Sequence, residues 1–274
     1  MCYNALGFFW NMKIVNLGSG SKGNCTLVTS DSTAILIDAG LPITEIEQKL
    51  KILGVDPKSI NGILVTHEHS DHIKSVEKLS TKYHIAVFAH TEEWPCLAKK
   101  AKILPALQKQ FDDNDFYIGN FTISSFKLSH DANMCVGYSV FCGNAKFSIA
   151  TDLGCCPNDV IQKLKGSNLV LLEANHDEHL LAQNPKYPYI LKRRILSNKG
   201  HLSNLASAEV ISHLVGETSQ VLLGHLSEEN NNPSLAYNTI KAFLAQRGII
   251  EGKNIFIDVT SQHNMSNIFE IKES

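Results

Sequence analysis

The stretch that most restricts this chain is GILVTHEHSDH, residues 62–72. The apolar residues 62–65 read as the end of a buried strand, and three imidazoles with two carboxylates follow within 67–72. A cluster this polar cannot enter a core unless every group finds a partner. The fold must therefore present it on a loop at the strand's carboxyl end, where sites are commonly built. His-x-His-x-Asp-His spacing offers imidazole nitrogens and a carboxylate oxygen without a thiolate, a donor set suited to zinc, manganese or iron. His67 and His69 can point at one ion, Asp71 and His72 at a second. Two ions ~3.5–4 Å apart can share a hydroxide and clamp both oxygens of an in-line displacement. The plain alternative is a solvated loop rich in histidine, and the rest of the chain decides between them.

Four further apolar runs end in the same manner. FKLS is followed by His130, FSIAT by Asp152, VLLEA by Asn175 and His176, and VLLG by His225. That makes five strands whose ends carry an imidazole, an amide or a carboxylate, which favours a metal-binding loop over a solvated one. Around them, 13–18, 25–30 and 33–40 read as a β-meander, 43–54 as a helix and 62–67 as a strand. Residues 73–83 and 91–102 read as helices on either side of a strand at 86–90. The second half repeats the plan, with strands over 116–130, 136–142 and 145–152 and hairpin turns at Gly119-Asn120 and Gly143-Asn144. Helices at 157–165, 204–215 and 233–247 then alternate with strands at 168–175, 220–227 and 254–259. Strands first and helices after, twice over, predict an α/β (α+β) fold with two packed sheets and helices outside, a four-layer αββα sandwich. One domain over 13–274 accounts for all of this. The apolar MCYNALGFFWN is too short to span a bilayer, and residues 1–12 are expected to be a dispensable extension.

Composition narrows the partners. With 43% apolar and 19% charged residues the chain is an ordinary soluble globular protein. A net charge of −2 gives no global pull toward nucleic acid or membrane, so any anionic substrate must be held by local charge. Seven cysteines, an odd number without C-x-x-C, point to a reduced, cytoplasmic protein. Oligomeric state is not written in the chain.

Taken in order, T-H-E-H-S-D-H (66–72), S-H-D (129–131), T-D-L-G (151–154) and G-H-L-S (224–227) resemble the motifs of the metallo-β-lactamase-fold hydrolases. The resemblance covers residues 13–260 and carries the αββα sandwich with it. It implies that His67, His69 and His130 hold one divalent ion, that Asp71, His72 and His225 hold another, and that Asp152 bridges them. An aspartate at 152 departs from the broad-spectrum β-lactamases, which place a cysteine nearby. His69 departs from the flavo-diiron pattern, which has an acid there. Thioester hydrolases of the glyoxalase II type share all seven ligands.

Three other stretches bear on the choice. LGSGSKGNC (17–25) could cradle an anionic oxygen with backbone amides, Ser19, Ser21 and Asn24, or could be a plain turn. In KGHLSN (199–204), Ser203 or Asn204 could cap a helix. By resemblance to phosphodiesterases of this fold, His201 would be the general acid that protonates the leaving oxygen. LLEANHD (171–177) offers Glu173 to orient His201, with Asn175 and His176 facing the cleft. Together these are most similar to the YycJ/WalJ-type exonucleases. That resemblance implies a metal-dependent phosphodiester hydrolase, a 5′-exonuclease on double-stranded DNA, with Asp71, His201 and Glu173 in catalytic parts. Lys192, Arg193 and Arg194, after two tyrosines, could track a nucleic-acid strand or form a solvated face. The competing readings are a glyoxalase II-like thioester or small-ester hydrolase, and a metal-stabilised regulatory protein.

Overall fold

Alternation within the apolar runs sets the layers. The computed structural model describes residues 11–272. Strands β1 (Asn11–Gly18), β2 (Cys25–Thr29) and β3 (Ala34–Ile37) form the antiparallel meander. After α1 (Ile43–Ile52), β4 (Ile60–Leu64) adds parallel to β3. Next come α2 (Ser70–Ile73), α3 (Val76–Tyr83), β5 (Val87–His90), α4 (Trp94–Lys100) and β6 (Gln108–Phe111), with both strands again parallel. The second sheet opens with β7 (Phe116–Ile118), β8 (Phe121–Lys127), β9 (Val136–Cys142) and β10 (Ala145–Ala150), all antiparallel. Helix α5 (Asn158–Leu164) leads to β11 (Leu169–Glu173), and α6 (Glu178–Gln183), α7 (Tyr189–Ile195) and α8 (Asn204–Leu214) lead to β12 (Gln220–Gly224). Helix α9 (Pro233–Gln246) and β13 (Phe256–Val259) complete that sheet in parallel. Finally β14 (Phe269–Lys272) returns to pair antiparallel with β1. Each sheet has seven strands among the described residues.

Because successive side chains of a strand face opposite ways, both faces of each central strand are covered. Ile35 and Ile37 of β3 join Phe121, Tyr138, Phe147, Leu171 and Leu222 between the sheets. Leu36 of β3 turns instead toward Ile46, Leu50, Val76 and Leu79 of the helices on that side. On the other sheet, Val170, Leu172, Val221 and Leu223 pack against α5, α8 and α9. This is the expected αββα sandwich. Each fully buried leucine or isoleucine contributes about 1.5–3 kcal/mol relative to an exposed one. Hairpin turns fall where the glycines predict them, with Gly119 and Gly143 both at φ 56°.

Four elements escape the sequence patterns, and the expected extension needs correcting. β6 (QKQF) is mostly polar, β14 and α6 are only a few residues long, and α7 lies in YPYILKRR, read above as a basic run. Residues 1–10 lie outside the described residues, but Asn11 and Met12 belong to β1, and Met12 is fully buried opposite Ile271. The helix over 73–83 is divided. Ser75 donates through its backbone to Ala39 and through its hydroxyl to Leu41, which pulls the chain out of helical register between α2 and α3. Pro95 falls in the first turn of α4, where its missing N–H costs nothing. Among the described residues no helix is long and apolar enough to cross a membrane.

Candidate metal centre

The carboxyl ends of β3, β4, β10, β11 and β12 meet at one edge of the sandwich, and each delivers a polar residue. Three of the four non-glycine residues with positive φ lie here: Asp38 (59°), Asp152 (63°) and His225 (55°). Left-handed backbone at such residues is costly and persists where packing enforces it. Close approach also requires Gly40, where a Cβ would lie 1.6 Å from the Asp71 carbonyl oxygen. The loops on both sides are tied, since Asn24 N–H donates to the Asp71 carbonyl and Ala39 N–H to that of His72.

The histidines are oriented from behind. His72 Nδ1 lies 2.7 Å from Asp38 Oδ2, and His67 Nδ1 lies 3.0 Å from the Thr66 hydroxyl, which itself donates to Asp38. His130 Nδ1 meets the Gly200 carbonyl at 3.2 Å, and His225 Nδ1 meets Glu173 Oε1 at 2.8 Å. Anchoring through Nδ1 aims Nε2 of all four rings inward, the usual arrangement for a metal-ligating imidazole. His72 Nε2 lies 3.0 Å from Asp152 Oδ2 and 3.5 Å from Asp71 Oδ2. His225 Nε2 is 3.5 Å from Asp152 Oδ1 and 3.6 Å from Asp71 Oδ2, and His130 Nε2 is 3.6 Å from Asp152 Oδ1. Ligand atoms gather within 4.8 Å of one another in four sets: His67, His69 and His130; His67, His72 and Asp152; Asp71, His72 and His225; and Asp152, Glu173, His201 and His225. Asp152 therefore stands between the two triads that the sequence marked out.

These residues fit a divalent cation. Nε2 of His67 and of His225 are buried without a hydrogen-bond partner, which is costly unless something else satisfies them. The charge balance agrees. Burial and then the crowding His72 imidazole hold His67 well below the usual histidine range. Burial would also lower His72 and His225, but Asp152 chiefly outweighs it in both, pushing His72 well up and His225 to about 10. For Asp152 the order is reversed: burial raises its carboxyl, and His225 and His72 hold it well below the usual range. So many buried carboxylates call for positive charge, and a divalent cation supplies it while leaving the imidazoles neutral.

His201 sits beside this cluster, its ring centroid 5.2 Å from that of His130 and 5.3 Å from that of His225. Its Nδ1 lies 2.7 Å from Glu173 Oε1, so Glu173 holds both His201 and His225. The other oxygen of Glu173 accepts from the backbone N–H groups of Leu153 and Leu202. Burial opposes but the imidazoles, His201 first, keep that carboxyl at about 2. Ser203 does cap α8, accepting from Ala206 N–H, so the cap and a site-facing His201 coexist.

The expected substrate contacts divide. Ser21 and Asn175 line a cavity of about 260 Å³ together with His201. Ser19 and Asn24 are buried and engaged, the Ser19 hydroxyl accepting from His225 N–H and donating to Asn24 Oδ1. Asn24 Nδ2 donates to the Gly20 carbonyl and lies 3.1 Å from His72 Nε2. They brace the ligand loops. His176 is 1% exposed and does not line that cavity. In the basic run, Lys192 donates to the Ala182 carbonyl and Arg193 lies over Tyr189, so only Arg194 reaches the site, paired through Nε with Asp131. Asp38 and Thr66 carry functional orientation that sequence reading missed. Asp38 ends the apolar run AILI, the same signature that marked Asp152.

Asp38→Asn tests that orientation. Asparagine tolerates the left-handed backbone but loses the anion behind His72. Metal affinity, titrated against a competing chelator, should fall about 10–100-fold; unchanged affinity would show that His72 does not need Asp38.

Comparison with known proteins agrees. The family model described as "Metallo-beta-lactamase superfamily" matches residues 18–154. The exodeoxyribonuclease YycJ of Bacillus anthracis is 37% identical over 243 residues, covering 86% of this chain and 90% of that protein. The exodeoxyribonuclease WalJ of Streptococcus pneumoniae serotype 2 is 34% identical over 260 residues, covering 93% and 96%. Among solved structures, the metallo-β-lactamase fold protein YhfI from Bacillus subtilis superposes with a TM-score of 0.71 at 16% identity, covering 96% of this chain and all of that one. That last likeness concerns the fold.

Proposed function

This chain belongs to the metallo-β-lactamase superfamily, and from that premise we propose that it is a metal-dependent exonuclease, hydrolysing phosphodiesters of double-stranded DNA from 5′ ends. The carrying observation is the His201–Glu173 pair beside the ligand cluster, at 2.7 Å. A sugar alkoxide is a poor leaving group and needs a proton as its bond to phosphorus breaks; a thiolate needs none. A histidine held by a buried carboxylate next to the reacting centre suits the first demand. In the two-ion reading, His67, His69 and His130 would hold one ion, Asp71, His72 and His225 the other, and Asp152 would serve both. Zinc or manganese, and iron as a third option, match nitrogen and oxygen donors. Bound divalent ions act as Lewis acids at a phosphoryl oxygen and lower the pKa of water. Asp71, whose side chain is 22% exposed, orients the attacking water, and His201, oriented by Glu173, protonates the departing oxygen. Cys25, Cys96, Cys135, Cys155 and Cys156 form no disulfide, which suits a reducing compartment such as the cytoplasm.

The test is digestion of 5′- and 3′-end-labelled duplex DNA, with matching RNA, after loading with Mn²⁺ or Zn²⁺. Loss of label from 5′ ends of DNA is the expected result. Inertness toward every polynucleotide together with turnover of a thioester would replace this reading by the glyoxalase II-like one.

A further inference from the structure

Two cavities flank the ligand cluster, and they differ in size and in chemistry. One is an open trench of about 760 Å³ that begins at His69 and Asp71 and is lined by Lys74, Lys78, Lys100 and Arg194. Glu77 also lines it, but its Oε2 is tied to the Lys102 backbone N–H. Lys100 reaches the Glu68 carbonyl at 3.2 Å and its carboxylate at 3.9 Å, whereas neither Lys74 nor Lys78 pairs with an acid among the described residues. The other cavity, of about 260 Å³, lies on the His201 side. Tyr187, just before α7, and Leu191 and Ile195 on it wall the cavity, and Ser21, Asn175 and Ser227 supply polar groups. Arg194 borders both.

We propose that these cavities divide a polynucleotide: the smaller receives the one terminal nucleotide that leaves, and the trench receives the phosphates of the strand that stays. The proposal rests on the hydrolase reading above and adds the placement of its substrate. At about 260 Å³ the small cavity lies just below the usual span of small-molecule pockets, about 300 to 1,000 Å³, so it limits what it receives to one nucleotide at most. Its aromatic and aliphatic wall suits the face of a base, while the lysines of the trench suit a backbone of phosphates. The chain's net charge of −2 makes that local concentration of cations the feature that holds an anionic strand.

The side that carries the acid sets which product leaves at the small cavity. His201 uses Nδ1 on Glu173, leaving Nε2 to meet the departing oxygen at the small cavity. In the 5′-end reading proposed above, a single nucleotide leaving there departs through O3′. Water oxygen bonds to phosphorus, the P–O3′ bond breaks with its electron pair passing to O3′, and His201 donates the proton. The nucleotide leaves with a 3′-hydroxyl, the shortened strand keeps a 5′-phosphate in the trench, and the proton lost by water restores His201 through solvent. Attack at a 3′ end that broke the same P–O3′ bond would require the whole polymer to leave through the small cavity, which α7 borders.

The experiment uses the full, metal-loaded chain on duplexes carrying a bulky fluorescein at either the 5′ or the 3′ end, with products separated by length. Mononucleotides as first products, and digestion at least tenfold slower with the 5′ adduct than with the 3′ adduct, are expected. Leu191→Trp, which fills the small cavity, should lower kcat/KM by at least tenfold. Lys74→Ser/Lys78→Ser should flatten the plot of log binding constant against log salt by about 1.4–1.8, the share of two phosphate contacts. That slope is read from the anisotropy of a phosphorothioate duplex. First products of two or more nucleotides, or equal rates with the two adducts, would overturn the small-cavity assignment, and an unchanged salt slope would overturn the trench. Failure to cut any polynucleotide would instead remove the hydrolase reading beneath both.

Discussion

Asp152→Asn should yield a folded protein that has lost more than ~100-fold in metal affinity and as much in DNA digestion. Asn occupies the same volume and is among the few residues that accept a left-handed backbone readily, and position 152 sits at φ 63°. The fold around it is built by Leu153, Ala150 and their neighbours in the helix-side core, none of which the substitution touches. What disappears is the negative charge that three Nε2 atoms face: His72 at 3.0 Å, His225 at 3.5 Å and His130 at 3.6 Å. An amide presents its NH2 hydrogens to some of those nitrogens and no longer offsets a cation. Losing a group that merely orients a ligand costs 10–100-fold, so losing the carboxylate common to both sets should exceed that. Elemental analysis after dialysis gives metal content, and circular dichroism checks the fold. Full metal content with normal digestion would show that Asp152 bridges nothing.

The sequence made the candidate ligands legible for a physical reason. His67, His69, Asp71, His72, His130, Asp152 and His225 are polar residues at the ends of apolar strands, and a buried strand cannot continue through such residues. The edge where parallel strands end is therefore visible as a change of chemistry along the chain. Asp38 obeys the same rule after AILI, yet it acts through Thr66 and the ring of His72, and no spacing connects Asp38 with His72, 34 positions on. Ser19 and Asn24 illustrate the converse. A loop rich in glycine and serine reads as a donor cradle, but here its side chains are consumed in holding His225 and Asp71 in place. The cations were obscured by contiguity. Lys192, Arg193 and Arg194 form a run and attract notice, whereas a helix turns adjacent residues to different sides, and only Arg194 faces the centre. Lys74, Lys78 and Lys100 come from separate elements and read, one by one, as solvated helix faces. Their convergence at one trench is a property of the tertiary fold.

The second large effect should come from His201→Ala, with kcat on DNA reduced about 10²–10⁴-fold, the range of general acid catalysis. The native enzyme should also show a rate that falls as pH rises, because the acid must carry its proton. The position of that fall can be reasoned from the pair. Burial pulls His201 down, but Glu173, both by its charge and by its hydrogen bond, outweighs burial and raises it above the ordinary histidine value. The proton is therefore held to a higher pH than an ordinary imidazole allows, and the rate should decline beyond that point. His201→Ala should abolish that limb. It should also lose much less on an aryl phosphodiester, whose activated leaving group departs unprotonated. Glu173→Gln is the weaker test. The amide oxygen would have to face the N–H groups of Leu153 and Leu202, turning its NH2 toward Nδ1 of both His201 and His225. Each ring would then carry its proton on Nε2, and for His225 that is the ligand atom, so metal would be lost along with the acid. The alanine variant at 201 leaves the carboxylate with His225 and two backbone donors, and so isolates the acid. An alkaline limb that survives in His201→Ala would assign the proton to another group.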